Sequence, residues 1–236
     1  MRNYITLNGK KSIDINGLLI QSLPPISKPL IRTQIEEIDG RDGDIITPLG
    51  YSAYDKEFSI GLYGDFDIND AIEYFDAEGT VIFSNEEDKY YNFQMIDQID
   101  FERLIRFRTA TVRMHVQPFK YSSVEGTQTF NITNQTSINV INNGNIYSKP
   151  IITIYGSGTI NLSLNGSQLF AINLGTEEQI TIDTNLMEAY NQDTQLLMNR
   201  LVTGNYDNFK LKTGTNTISW SGTITKIQIQ NYSRWI

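Results

Sequence analysis

The chain has 236 residues, no cysteine and a formal net charge of −8 at pH 7. The lack of thiols excludes a disulfide framework and thiolate metal sites, and an acidic balance of this size argues against gripping a phosphate backbone. The length suffices for one large core or two ordinary ones, and the charge is uneven: residues 1–120 hold 13 Lys and Arg against 20 Asp and Glu, residues 121–236 only 6 against 7.

The opening Met1-Arg2-Asn3-Tyr4-Ile5-Thr6 lacks the apolar stretch of a signal peptide, and no run is long enough to cross a bilayer. The expectation is a protein made in a cytoplasm, not addressed to secretion and without a membrane partner. Asn3 to Asn8 alternates as a strand does, and Leu18 to Leu23 is a second apolar segment closed by Pro24-Pro25. Leu30 to Ile38 is a longer strand candidate with mixed faces. Asp39-Gly40-Arg41-Asp42-Gly43-Asp44 follows, a loop with positive-φ positions or the tip of a projecting hairpin. Lys56 to Tyr63 alternates with Phe58, Ile60 and Leu62 on one face. A helix over 68–77 is then predicted from the stripe Ile68, Ala71, Ile72 and Phe75, with Asp67 as N-cap and Gly79 just past its end. Thr80 to Phe83, Tyr90 to Ile99 and Thr109 to Gln117 supply three more strands, and Arg103, Arg106, Arg108 and Arg113 read as the solvated side of two of them. Glu86-Glu87-Asp88 reads as a loop tip that keeps its charges in water. The first half is thus α+β or a helix-decorated sandwich.

Pro118 to Pro150 is poor in charge, rich in Asn, Thr and Ser, and broken at Glu125-Gly126 and Asn142-Asn143-Gly144-Asn145. A domain boundary is expected at about Ser122–Glu125, with Thr127 to Val140 as extended structure beyond it. Ile151 to Tyr155, Thr159 to Leu164, Leu169 to Leu174 and Gln179 to Asp183 read as strands. Turns are expected at Gly156-Ser157-Gly158, Asn165-Gly166-Ser167 and Gly175-Thr176-Glu177. Leu186 to Leu201 reads as a helical turn plus loop. Phe209 to Leu211, Asn216 to Trp220 and Ile224 to Gln230 complete the set, with Ser221-Gly222-Thr223 as a turn. Short strands at this spacing argue an antiparallel β-sandwich or jelly roll.

The chemistry is sparse. His115 is the only histidine, and no nucleophile elbow accompanies it. Asp39 to Asp44 fails the calcium-loop pattern, because Arg41 and Gly43 stand where oxygen ligands belong. There is no P-loop and no dinucleotide fingerprint. No catalytic residue, metal or cofactor is expected. Tyr206 and Trp220 offer a possible glycan platform; the alternative is that Trp220 packs locally as a strand residue. Carboxylate pairs for glycoside hydrolysis are not decided by sequence separation. Asp39, Arg41, Asp42 and Asp44 are candidate subunit-contact residues. Ile35, Ile38, Ile45 and Ile46 crowd apolar surface around a loop that otherwise only connects strands; the competing reading is a mobile acidic loop.

Several stretches resemble the siphophage distal tail protein family. In the first half these are Tyr4 to Gly9, Ile35 to Gly43, Phe58 to Tyr63, Gly79 to Ser84, and Phe107 through Tyr121. In the second half they are Lys149 to Gly158, Leu164-Asn165-Gly166, Ile180 to Asp183 and Gly214 to Gly222. The resemblance covers essentially the whole chain through weak motifs in a specific order. It implies a mainly β fold: an N-terminal β-sandwich-like domain with one α-helix over 1–122, then a galectin-like β-sandwich (jelly roll) over 123–236. It implies a non-enzymatic hub in the tail tip of the virion, assembled in the bacterial host cytoplasm. Homo-oligomers, hexameric rings in this family, would join the major tail protein to a tail-fibre hub, receptor-binding or baseplate proteins, with DNA passing the channel unbound. The alternative is a carbohydrate-binding β-sandwich module acting in host-surface attachment.

Overall fold

The computed structural model describes residues 2–236 and is mainly β. Two compact units divide the chain; the first runs to Ser123 and the second covers Val124–Trp235.

In the first unit the strands are β1 (Ile5–Leu7), β2 (Lys10–Lys11), β3 (Leu18–Ile20), β4 (Ile31–Glu36), β5 (Ile45–Tyr51), β6 (Tyr54–Leu62), β7 (Glu78–Phe83), β8 (Lys89–Gln94) and β9 (Thr109–Ser122). Antiparallel pairing gives one sheet in the order β2-β1-β7-β8-β9-β6-β3, while β4 and β5 form a two-stranded sheet of their own. Alternation decides which side chains go inward. Phe58 and Ile60 of β6 lie opposite Val112 and Ala110 of β9, and all are buried. Strand β9 continues through Pro118, which falls where the register between β8 and β9 shifts, a place where a missing N–H is tolerated.

Two helices, α1 (Ile68–Phe75) and α2 (Phe101–Phe107), close this core. Asp67 caps α1 by accepting from the Asn69 N–H at 2.8 Å. The buried stripe is Ala71, Tyr74 and Phe75, with Ile68 half-buried, whereas Ile72 is 40% exposed. Tyr74 takes the inward place because its hydroxyl donates to the Ile5 and Lys10 carbonyls. The helix ends at Phe75, and Gly79 is a strand residue whose backbone passes beside Asn8; a Cβ there would meet Asn8 Oδ1 at 2.3 Å.

The second helix overturns the strand reading for Arg103, Arg106 and Arg108, whereas Arg113 is an exposed residue of β9 paired with Glu57 and Asp97. Asp100 caps α2 by accepting from the Arg103 N–H at 2.8 Å, Arg106 pairs with Glu102 one turn back, and Arg108 ends it in the left-handed conformation. Only Leu104 of α2 is fully buried. The acidic turn also departs from expectation at Glu86. Its carboxylate accepts from Lys120 Nζ at 2.8 Å, and both side chains are largely buried.

In the second unit the strands are β10 (Gln128–Asn131), β11 (Ser137–Asn142), β12 (Ile151–Leu164), β13 (Ser167–Asn173), β14 (Gln179–Asp183), β15 (Glu188–Tyr190), β16 (Val202–Gly204) and β17 (Gly214–Gln230). The expected turns at 156–158 and 221–223 do not exist. Each lies inside one long strand, and the two strands pair along both halves with a register shift where those residues meet. A Cβ on Gly156 would meet the Thr223 carbonyl at 2.2 Å, and one on Gly222 the Thr159 carbonyl at 2.2 Å. Glycine here therefore permits close backbone approach at a bend, and the bend carries each strand from one sheet of the sandwich into the other. The first half of β12 pairs with β14 and the second half with β13; β17 pairs with β11 early and β10 late. Asn165-Gly166, both at positive φ, make the hairpin turn between β12 and β13. Gly175 joins β13 to β14, which are not paired with each other. The stretch Leu186 to Leu201 contains β15 as well as a 3-10 turn. Inward residues such as Ile152, Ile154, Leu162, Phe170, Ile182, Ile218 and Ile227 form a single core.

Replacing Phe75 by Ala is expected to destabilise the first unit by about 3–5 kcal/mol in chemical denaturation, since the ring is 2% exposed. Ile72→Ala on the exposed flank should cost less than about 1 kcal/mol. Equal effects would contradict this packing.

Candidate subunit interface

The β4–β5 hairpin lies outside the core of its unit, and both its strands are solvent-exposed along nearly their whole length. Its ladder pairs Ile31 with Tyr51, Thr33 with Pro48, and Ile35 with Ile46, with a register shift at Leu49. Opposed residues share a face, so these pairs make one largely apolar side. Arg32, Gln34, Glu36 and Thr47 stand on the other, with Gly50 and, beside the tip, Ile45. Ile35 is 58% and Ile46 61% exposed; Leu30, Ile38 and Leu49 are also open. An isolated two-stranded ribbon is marginal in water, and an exposed apolar face flanked by open strand edges is a pairing surface.

The tip is the segment Asp39 to Asp44. Asp39, Arg41, Asp42 and Asp44 are all exposed there, with Gly40 and Gly43 at φ +81° and +77° and the Arg41 N–H bonded to the Ile38 carbonyl at 3.1 Å. The tip thus collects Arg41 and its carboxylates at the end of an amphipathic ribbon.

The root of the hairpin is held by a group that sequence reasoning did not single out. Lys56 shares strand parity with Phe58, Ile60 and Leu62, so its side chain points inward and is buried. Its ammonium donates to the Pro25 carbonyl at 2.9 Å and sits over the rings of Tyr91, Tyr54 and Phe83 at 4.8, 5.5 and 5.6 Å. Tyr54 donates to the Ser27 carbonyl, and the Tyr51 ring meets Phe119 edge-on. The chain entering β4 and the chain leaving β5 are therefore both tied to the core. Burial pushes the Lys56 ammonium down to about 8, against a smaller opposing pull from Glu86. A lysine at an inward parity position was the available signal.

The other candidates are not brought into a reactive arrangement. His115 Nδ1 lies 2.8 Å from Asp55 across the β6–β9 ladder. Trp220 is 7% exposed and packs in the sandwich core, opposite Leu162, which leaves no open ring face for a sugar. Tyr206 opens a 3-10 turn and lays its half-buried ring on Phe170 at 5.2 Å. Among the described residues no group of three or more His, Cys, Asp or Glu is placed to hold a metal ion, and no helix is long and apolar enough to cross a membrane.

The molecule is thus, by architecture, a curled β-sheet unit with a projecting hairpin in series with a β-sandwich unit. The fold is similar to that in the crystal structure of the Dit (gp 19.1) protein of SPP1, described as a paradigm of the hub adsorption apparatus in phages infecting Gram-positive bacteria. That fold matches over 98% of this chain and 99% of that one, with a TM-score of 0.64 at 19% identity. Similarity to the baseplate of phage p2 in its activated conformation with Sr is weaker (TM-score 0.49, 13% identity, 97% of each chain). No family model matches the chain, and no curated protein matches its sequence.

The Lys56 site gives a pH dependence with a defined sign. A folded-state value lowered from 10.5 to about 8 means that between these pH values the unfolded chain binds more protons, so this group's contribution to stability rises with pH. Tyr74 and Tyr91 act oppositely above about pH 10, because burial raises both and the folded state resists their ionisation. In denaturation series from pH 7 to 10, the stability of wild type relative to Lys56→Met should increase by on the order of 2 kcal/mol. A difference that does not change with pH would refute the burial of this ammonium.

Proposed function

We propose that this chain is a non-enzymatic hub of a bacteriophage tail tip, a virion component whose copies close into a hexameric ring. In this reading the first unit forms the ring wall, and the second attaches baseplate or receptor-binding proteins. The observation that carries it is the fold likeness to SPP1 Dit along essentially the full length of both chains. The exposed hairpin supports it independently. A ring needs one patch that repeats around a closed circle of heterologous contacts, and an anchored ribbon with one apolar face and an Arg41 fork supplies such a patch. The acid excess of the first 120 residues suits a wall past which DNA must slide, since like charge repels phosphate. Arg41 pairs in this reading with a carboxylate of the neighbouring copy, and Ile35 and Ile46 bury against it.

The test is assembly. Light scattering of the purified protein should give, at sufficient concentration, a mass near six times the 26.9 kDa of one copy, and electron microscopy should show rings. Arg41→Glu should raise the concentration needed for assembly about tenfold, while the monomer's thermal transition stays nearly unchanged. Ile35→Glu should abolish assembly. If both variants assemble like wild type at equal concentration and salt, the hairpin is not the contact.

A further inference from the structure

Within the second unit, the outward face of one sheet is sunken. Its floor is a row of opposed residues across four strands: Gln228 on β17, Thr153 on β12, Thr181 on β14 and Tyr190 on β15. Above this row lies a cleft of about 290 Å³, to which Gln192 and Gln230 also contribute. That volume is near the lower end of the range for small-molecule sites. The outward side of an antiparallel sandwich is ordinarily polar because it faces water. Here, however, the Thr153 and Thr181 side chains are 5% and 1% exposed, so the floor has left the surface while keeping its hydroxyls. Gln179, next along the same face of β14, is also buried, and its Oε1 has no hydrogen-bond partner.

The floor groups are pre-oriented by one another. The Thr153 and Thr181 hydroxyls lie 2.9 Å apart, Thr153 Oγ1 donates to Gln192 Oε1 at 3.1 Å, and Tyr155 donates to Gln228 Oε1 at 2.9 Å. This leaves the Gln192 amide N–H₂ and further oxygen lone pairs available to a ligand. The lining is mostly neutral amide and hydroxyl, able both to donate and to accept, with Ile151 and one tyrosine ring as its apolar parts. Carboxylates stand around it rather than in it: the outward register row next to the floor places Glu188 and Asp183, and Asp183 already accepts from the Asn185 and Leu186 N–H groups at 2.8 and 2.9 Å. The outward row on the other side of the floor holds a cation, Lys226, over the Tyr155 ring, so charges of both signs flank a lining that is itself uncharged.

We infer that this cleft is a binding site for a neutral saccharide, a single pyranose ring or the end residue of a longer glycan. Sugar hydroxyls need the mixed donors and acceptors that Gln and Thr present, and the apolar face of a sugar ring suits Tyr190. The site is distinct from Trp220, which is part of the core, and does not depend on ring assembly.

The test applies the full-length chain to a printed array of neutral and charged bacterial and plant glycans, followed by titration calorimetry with the free sugars that bind. Binding to a neutral class is expected. The double variant Thr153→Val, Thr181→Val preserves side-chain volume, and Gln228→Ala removes an amide from the floor. Each should weaken binding about tenfold or more, with an unchanged thermal transition verifying the fold. Trp220→Phe should leave binding intact. No neutral glycan bound by wild type, preference for charged glycans, or binding that survives both cleft variants would each overturn the assignment.

Discussion

The structure turns on a hairpin that its own unit does not cover. Strands β4 and β5 pair only with each other among the described residues, so each keeps an open edge. The residues on one side, Ile31, Ile35 and Ile46 with Pro48 and Tyr51, are those that elsewhere in the chain go into a core. A ribbon of this kind is costly in water and useful only where a neighbour completes it. The first unit bears that cost by anchoring the ribbon's root, chiefly through a buried ammonium bound to the Pro25 carbonyl inside an aromatic cage. A lysine in that position weakens the core it enters. It holds in a defined place a segment that has few hydrophobic contacts of its own, such as Tyr51 on Phe119.

The second unit solves a different problem. A sandwich of short strands needs many turns, but here two strands of unusual length serve both sheets by bending at facing glycines. The register shift at the bend locks the two strands to each other, because sliding by one residue would put Ile152, Ile154 and Ile227 on the solvent side. The consequence is a rigid central pair, with β10, β11, β13 and β14 laid along its edges. The outward face can then keep buried hydroxyls, since the core beneath does not depend on them.

Much of this was legible in the sequence. The period of α1, its Asp67 cap, many of the strands of both halves and the turn-rich tip at Asp39 to Asp44 follow from local chemistry, while β5, β15 and β16 do not read as strands. What failed did so for physical reasons. Helix α2 buries only Leu104, so its seven residues carry no stripe to read. The glycines of 156–158 and 222 look like turn signals because close approach and chain reversal call for the same residue. Lys56 and Lys120 stand at inward parity positions, where a charge is ordinarily read as exposed. The sunken floor was invisible because Thr and Gln at alternate positions describe any solvated sheet face; only the depth of the cleft distinguishes it.

If the hairpin is the surface that joins copies, its amides should be the part of the molecule most altered by association. Hydrogen exchange followed by mass spectrometry at low and high protein concentration tests this directly. The account predicts that peptides covering residues 31–51 exchange quickly in dilute monomer and become strongly protected as the assembled fraction grows, while peptides from β12 and β17 are protected throughout. Protection of 31–51 that is already high in the monomer, or that stays low in the assembled particle, would contradict it.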